Sequence, residues 1–347
     1  MASQATLTPG ETSPAAPPAA PSTARRGPAG SLLRLFVSRR EATIFVVAVA
    51  IIVYFAARTS EFYSYANIVT IVQYMAPIAV IGVGEVFLLT LGEIDLSAGQ
   101  IFLVSPWIVV WLQQAGLPIG WAITVSLLCC LAIGAINGLI TVLLNVPSFV
   151  TTLGTYFSLL GLVLIVSNDA QADMPGTTGT FGQIFGISSW SEIGWALLIV
   201  VALHIVLKRT RFGMHVTATG GNYLGAAEAG IPVRRVKVWS FMILAFGAGF
   251  IGLLDSIRIQ SLDPASPGTT VMFSAVSAAV IGGTSLLGGR GTIIGATIGA
   301  IVLGVLEDGF NLIGVSANEF TLVTGLVILV AMAINVQLSR VGARMRT

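Results

Sequence analysis

The chain has 347 residues, of which 55% are apolar and 9% charged, and a mean hydropathy of +0.92. A soluble domain carries about 25% charged residues, so the composition excludes one and indicates a polytopic membrane protein. The formal net charge of +2 is not gathered into a patch, which leaves no footing for nucleic acid.

Residues 1–40 are rich in Ala, Pro, Ser and Thr and have little apolar surface to bury, the composition of a disordered tail. No signal-peptide core precedes the first apolar run, which is therefore expected to serve as an uncleaved anchor. About 20 apolar residues span a bilayer as a helix. On that basis spans are predicted near 42–57, 68–91, 99–114, 119–144, 149–167, 193–207, 238–257, 273–288, 292–306 and 320–337. The fold class is thus all-α, with about ten transmembrane helices over 41–338 and a basic tail at 339–347. An even count puts both termini and fifteen of the seventeen basic residues on one side, leaving only Arg58 and Arg258 outside. By the positive-inside rule that side is the cytoplasm. The pair 273–306 is the weakest, because GGTSLLGGRGT is polar and glycine-rich enough for half-length helices.

Small residues recur at helical spacing in Gly134 and Gly138, and in Gly291, Gly295 and Gly299, where backbones can approach closely in lipid. The adjacent Cys129 and Cys130 read as small core residues, since neighbours rarely meet disulfide geometry. His204 and His215 read as packed or solvated, and no spacing of Cys, His and carboxylates suggests a metal site. The long outward loop, 168–192, is acidic; a solvated connector and a docking surface are both open for it.

The stretch GEIDLSAG, 92–99, places Glu93 and Asp95 inside a long apolar run. An ionisable side chain at the bilayer centre costs about 2.5 to 3.5 kcal/mol on insertion scales. Gly92 and Gly99 permit a tight turn, and Asp95 or Ser97 can cap a restarting helix, so the run is read as a helix break. A plain surface loop with Asp95 as N-cap and Glu93 in solvent is the alternative. Charge topology puts Glu93 and Asp95 at an inner helix end, Glu307, Asp308 and Asp255 near outer ends, and Glu85 alone at depth. Arg258 lies one helical turn from Asp255 as its partner.

A second dense stretch lies at 208–237, with basic residues at both ends. Within it TATGGN reads as a turn, and LGAAEAGI as a short helix ended by Gly230 and Pro232. It fits either a membrane-surface connector or a docking knob for a cytoplasmic partner.

Gly92, Ile94, Asp95, Leu96, Ser97 and Gly99 form a signature that resembles the permease subunits of ATP-binding cassette importers for monosaccharides, the ribose, xylose and galactose group. The run RTRFG, then GGN, AGI and VK, at Arg209–Lys237, resembles the coupling loop of the same family, and 280–315 resembles its C-terminal half. The chain departs from the pattern at Glu93, where many members have Gly, and after Asn222, where Tyr223 follows instead of Glu. The resemblance implies an importer permease fold and a docking loop for the ATPase that includes Gly220, Gly221, Asn222, Tyr223, Glu228, Gly230, Ile231 and Arg234. It further implies a second permease copy, two ATP-binding cassette domains that bind ATP and Mg, an extracytoplasmic sugar-binding protein, and a bacterial inner-membrane location. No cofactor is expected in this chain: GTSLLGGR, 283–290, lacks the Lys-Ser/Thr of a phosphate loop. Glu85, Glu93, Asp95, Ser97, Asn137 and Asn311 are the candidates for the translocation pathway. A branched-chain amino acid permease and an ion-coupled secondary transporter are the competing readings.

Overall fold

A computed structural model describes residues 40–175, 178–188, 190–266 and 268–316, with isolated positions from there to 329. Residues 1–39 of the expected N-terminal tail, the tail at 339–347 and most of the expected span at 320–337 lie outside the described residues. The helices are α1 (Arg40–Arg58), α2 (Tyr65–Thr90), α3 (Ala98–Gln114), α4 (Ile119–Leu143), α5 (Ser148–Ser167), α6 (Ser191–Arg209), α7 (Arg211–Gly221), α8 (Tyr223–Glu228), α9 (Val233–Ile259), α10 (Gly268–Ile281) and α11 (Ile293–Leu312). Six of these, α2, α4, α5, α6, α9 and α11, are long and apolar enough to cross a membrane.

The bundle is built around α2 and α9. Every residue of α2 from Ala76 to Thr90 is buried, and so are most of those of α9 beyond Ser240. Helix α4 lies on α9 because Gly134 and Gly138 leave room for it: a Cβ at Gly134 would meet the Phe241 carbonyl at 2.7 Å, and one at Gly138 the Val238 Cα at 2.8 Å. The outward faces of α4, α5 and α6 remain apolar, with Leu128, Ile136, Phe157, Ile165 and Leu197 exposed. Such a surface suits lipid or another subunit.

Two helices are short. Helix α10 has 14 residues and a length of about 21 Å, less than the hydrocarbon core of about 30 Å. The expected span 273–288 therefore ends early, at Ile281, where Gly283 takes a positive φ of 96° and residues 282–292 form a loop. That loop is closed by a bond from the Ser285 N–H to the Arg290 carbonyl (3.0 Å). Helix α3 begins inside the bundle. A Cβ at Gly99 would lie 2.0 Å from the Gly268 carbonyl, so the first turns of α3 and α10 touch.

At the opposite end, the 168–192 loop is folded. Ala172 and Asp173 pair antiparallel with Leu262 and Ser261, and Gly179–Gly182 and Gln183–Ile187 form helical turns. The expected Asp255–Arg258 pair is present there, and Arg258 also donates to Glu192 Oε2 at 2.8 Å. Glu192 is 1% exposed, so one guanidinium ties α6 to the end of α9 over two buried carboxylates.

Candidate functional site

The helix break begins with a glycine C-cap. Gly92 has φ of 77°; its N–H bonds to the Leu89 carbonyl (3.0 Å) and the Glu93 N–H to that of Leu88 (2.9 Å), satisfying the last carbonyls of α2. The chain then turns back into the bundle. The N–H groups of Ile94 and Leu96 donate to Ser148 Oγ (3.2 Å) and Thr152 Oγ1 (3.0 Å) in the first turns of α5. Between them Asp95 is fully buried, and its Oδ1 accepts from the Ser97 N–H (2.8 Å) and hydroxyl (2.5 Å).

Asn137 of α4, also fully buried, completes the cluster. Its amide donates to Ser97 Oγ (2.9 Å) and to Asp95 Oδ2 (3.4 Å), and its carbonyl oxygen accepts from Thr155 Oγ1 (2.6 Å). Asp95 thus lies in the break between α2 and α3, as its position in the sequence suggests, and meets α4 at Asn137, six positions before the end of that helix. The segment can be buried there because two hydroxyls of α5 satisfy its N–H groups. Ser97 stands at the N-cap of α3 without a capping bond, and Asp95 makes the turn instead.

Glu85 of α2 is fully buried as well, and it lies within the field of Asp95. Among the described residues neither of its oxygens has a hydrogen-bond partner, and the same is true of Gln100 Nε2 in α3. Buried polar groups are normally bonded, so these atoms stand out within the bundle. Glu93 is neither free nor fully solvated: it forms an ion pair with Lys237 of α9. Asn311 stands apart from the others, exposed in the last turn of α11. The structure therefore brings together Glu85, Asp95, Ser97 and Asn137, places Glu93 beside them at the Lys237 end, and leaves Asn311 separate.

The 208–237 stretch forms two short helices in place of the expected turn and single helix. Residues 211–221 are helical because Gly213, Val216 and Thr219 recur every third position and are buried, a packed stripe that overrides the poor helix propensity of TATGG. Asn222 then caps α8, its Oδ1 accepting from the Gly225 N–H (3.0 Å). Gly230, at φ of 82°, ends α8 with the same cap as Gly92: its N–H reaches the Ala227 carbonyl (3.0 Å) and the Ile231 N–H that of Ala226 (3.0 Å). Ala226 is buried, whereas Tyr223, Leu224, Glu228 and Arg234 face outward.

Gly220 seats this loop on the bundle. A Cβ there would be 1.7 Å from the Thr90 carbonyl oxygen, which also accepts from the Gly289 N–H at 2.8 Å. The last turn of α2 therefore carries both the 208–237 loop and the 282–292 loop. Sequence reasoning missed Ser148, Thr152 and Thr155 of α5, although their spacing forms a polar stripe on an otherwise apolar helix. It also missed the role of Gly288 and Gly289, whose only signal is the doublet itself.

Residues 67–332 match the family model described as branched-chain amino acid transport system / permease component. The chain is 36% identical to the xylose/arabinose import permease protein of Sulfolobus acidocaldarius, over 90% of this chain and 89% of that protein. It is 31% identical to the ribose import permease protein of Haemophilus influenzae, over 86% and 93%, and 30% identical to the D-allose transport system permease protein of Escherichia coli, over 86% and 92%. No solved structure matches the chain.

Proposed function

Because the chain belongs to the permease-component family of branched-chain amino acid transport systems, we propose that it is the membrane-spanning subunit of an ATP-binding cassette importer that carries a monosaccharide. Its relatives along nearly the whole length are import permeases for xylose/arabinose, ribose and allose. A pentose, hexose or related polyol, delivered by an extracytoplasmic binding protein, is the cargo. The chain is a multi-pass membrane permease; ATP and Mg are bound by separate subunits, and a second copy of the permease completes the path.

The observation that carries this reading is the doubly capped helix α8, which presents Tyr223 and Leu224 outward from a loop seated on α2. A surface connector needs neither feature. Gly220, Gly221, Asn222, Tyr223, Glu228, Gly230, Ile231 and Arg234 form the docking loop, which faces the cytoplasm as the basic residues around it require. Both termini share that side, in the inner membrane of a bacterial cell. Glu85, Asp95, Ser97 and Asn137 form the inner part of the pathway, with Glu85 offering hydrogen bonds to sugar hydroxyls, and Asn311 belongs to its outer mouth. Binding-protein docking and nucleotide state shift the path between two forms by their differential affinity for each.

The test is reconstitution of the permease with its ATP-binding subunit and binding protein in vesicles. Uptake of labelled xylose, arabinose, ribose or allose should require ATP and survive an ionophore. Uptake that collapses with the ion gradient and needs no ATP refutes the reading, and uptake of leucine alone moves the chain to the amino acid branch.

A further inference from the structure

Lys237 lies one turn into α9 and touches two elements that are otherwise far apart in sequence. Its ammonium pairs with the carboxylate of Glu93 and sits 5.3 Å from the ring centroid of Tyr223, within cation–π range. The side chains of Lys237 and Glu93 are 18% and 12% exposed, so the pair is only partly screened by solvent. We propose that Lys237 is a positioning residue that transmits displacement of the docking helix to the re-entrant segment at 93–97. The proposal rests on the reading of α8 as the ATPase docking helix.

Three features support transmission over a static contact. Tyr223 is the first residue of α8, directly after its N-cap, and half-exposed, so whatever moves α8 moves this ring. Glu93 has no such freedom of backbone, because its N–H is held by the Leu88 carbonyl in the C-cap of α2. Two residues further on stands Asp95, which organises Ser97 and Asn137. A shared ammonium between a mobile ring and a fixed carboxylate responds to the position of the ring: as Tyr223 moves off, the charge is left to Glu93 alone, and as it approaches, part of that interaction is withdrawn. Contact runs from Tyr223 of the docking helix through Lys237 to Glu93, and the backbone of Ile94 joins Glu93 to Asp95 in the buried cluster. This is a continuous physical route with a stated element at each end.

The experiment uses the complete importer in vesicles, measuring sugar moved per ATP hydrolysed and the stimulation of hydrolysis by loaded binding protein. Lys237→Met and Glu93→Gln should each lower the sugar-per-ATP ratio at least fivefold without lowering the melting midpoint of the purified permease. The double variant should be no worse than either alone, as residues of one pathway are non-additive. Lys237→Arg and Tyr223→Phe, which keep charge and ring, should retain coupling, and Tyr223→Leu should lose it. The charge exchange Glu93→Lys with Lys237→Glu should recover at least part of the ratio lost in Glu93→Lys. Wild-type ratios in Lys237→Met, or losses that simply multiply in the double variant, overturn the proposal. If the wild-type permease fails to bind an ATP-binding subunit at all, the functional reading fails instead, and the two failures are distinguishable.

Discussion

Adjacent glycines in the docking loop make a sharp test of how it is seated. At Gly220 an added Cβ falls 1.7 Å from the Thr90 carbonyl oxygen, whereas at Gly221 it meets nothing within 4 Å. Carbon and oxygen approach to about 3.3 Å at closest in ordinary contacts, so Gly220→Ala must part α7 from the end of α2 by roughly 1.6 Å. The obstacle is backbone, and Thr90 is held in place by Gly289 as well, so no side-chain rotation relieves it. Overpacking of this kind costs about 1 to 3 kcal/mol. Gly221→Ala should instead be neutral or stabilise by up to about 1 kcal/mol, since alanine is the better helix former at the end of α7. The assay is paired: thermal unfolding of the purified permease, and ATP hydrolysis stimulated by loaded binding protein in the reconstituted complex. Gly220→Ala should lower both, and Gly221→Ala neither. Equal behaviour of the two variants in both measurements would refute the seating of the loop on α2.

Thr152→Val removes the acceptor of the Leu96 N–H at nearly constant volume; leaving that buried donor unsatisfied should destabilise the permease by about 1 to 3 kcal/mol, and Thr152→Ser should restore most of the loss in a melting assay. Arg258→Ala strips the shared partner from two buried carboxylates and should cost about 3 to 5 kcal/mol, visible as poor yield of folded protein, with partial recovery when Glu192→Gln and Asp255→Asn are added. Glu85→Gln removes a carboxylate that has no bonded partner among the described residues, so the melting midpoint should hold or rise while sugar uptake falls; unchanged uptake removes Glu85 from the pathway. With Cys129 and Cys130 replaced by Ala, a cysteine introduced as Tyr223→Cys should react with a membrane-impermeant maleimide only from the cytoplasmic side, and labelling from outside reverses the topology.

Much of the fold is legible in the chain before any coordinates. Composition and span length place nine of the helices, α7 and α8 aside, because a helix that must satisfy its backbone within lipid leaves a long apolar run as its signature. The glycines at 134 and 138 announce a close helix contact for the same local reason, the absence of a side chain. Burial within the bundle has no such signature. Sequence spacing puts Asp95 in the break between α2 and α3 but cannot tell a segment that leaves the membrane from one that folds back among the helices. That choice depends on hydroxyls of Ser148 and Thr152, some fifty residues away, being present to take its N–H groups. The helical state of 217–221 likewise depends on packing against α2 rather than on the propensity of TATGG.

What the sequence determined by itself was the class of molecule, the rough placement of nine helices and the two motif-bearing stretches, all of which follow from local properties: hydropathy, helix-capping residues and charge. Only the tertiary structure decided that these stretches meet, with Gly220 on Thr90, Asn137 on Asp95, and Lys237 between Glu93 and Tyr223. The reason is that each of these contacts joins residues on different helices, whose distance is set by how side chains of several helices interlock and not by the spacing of any one of them.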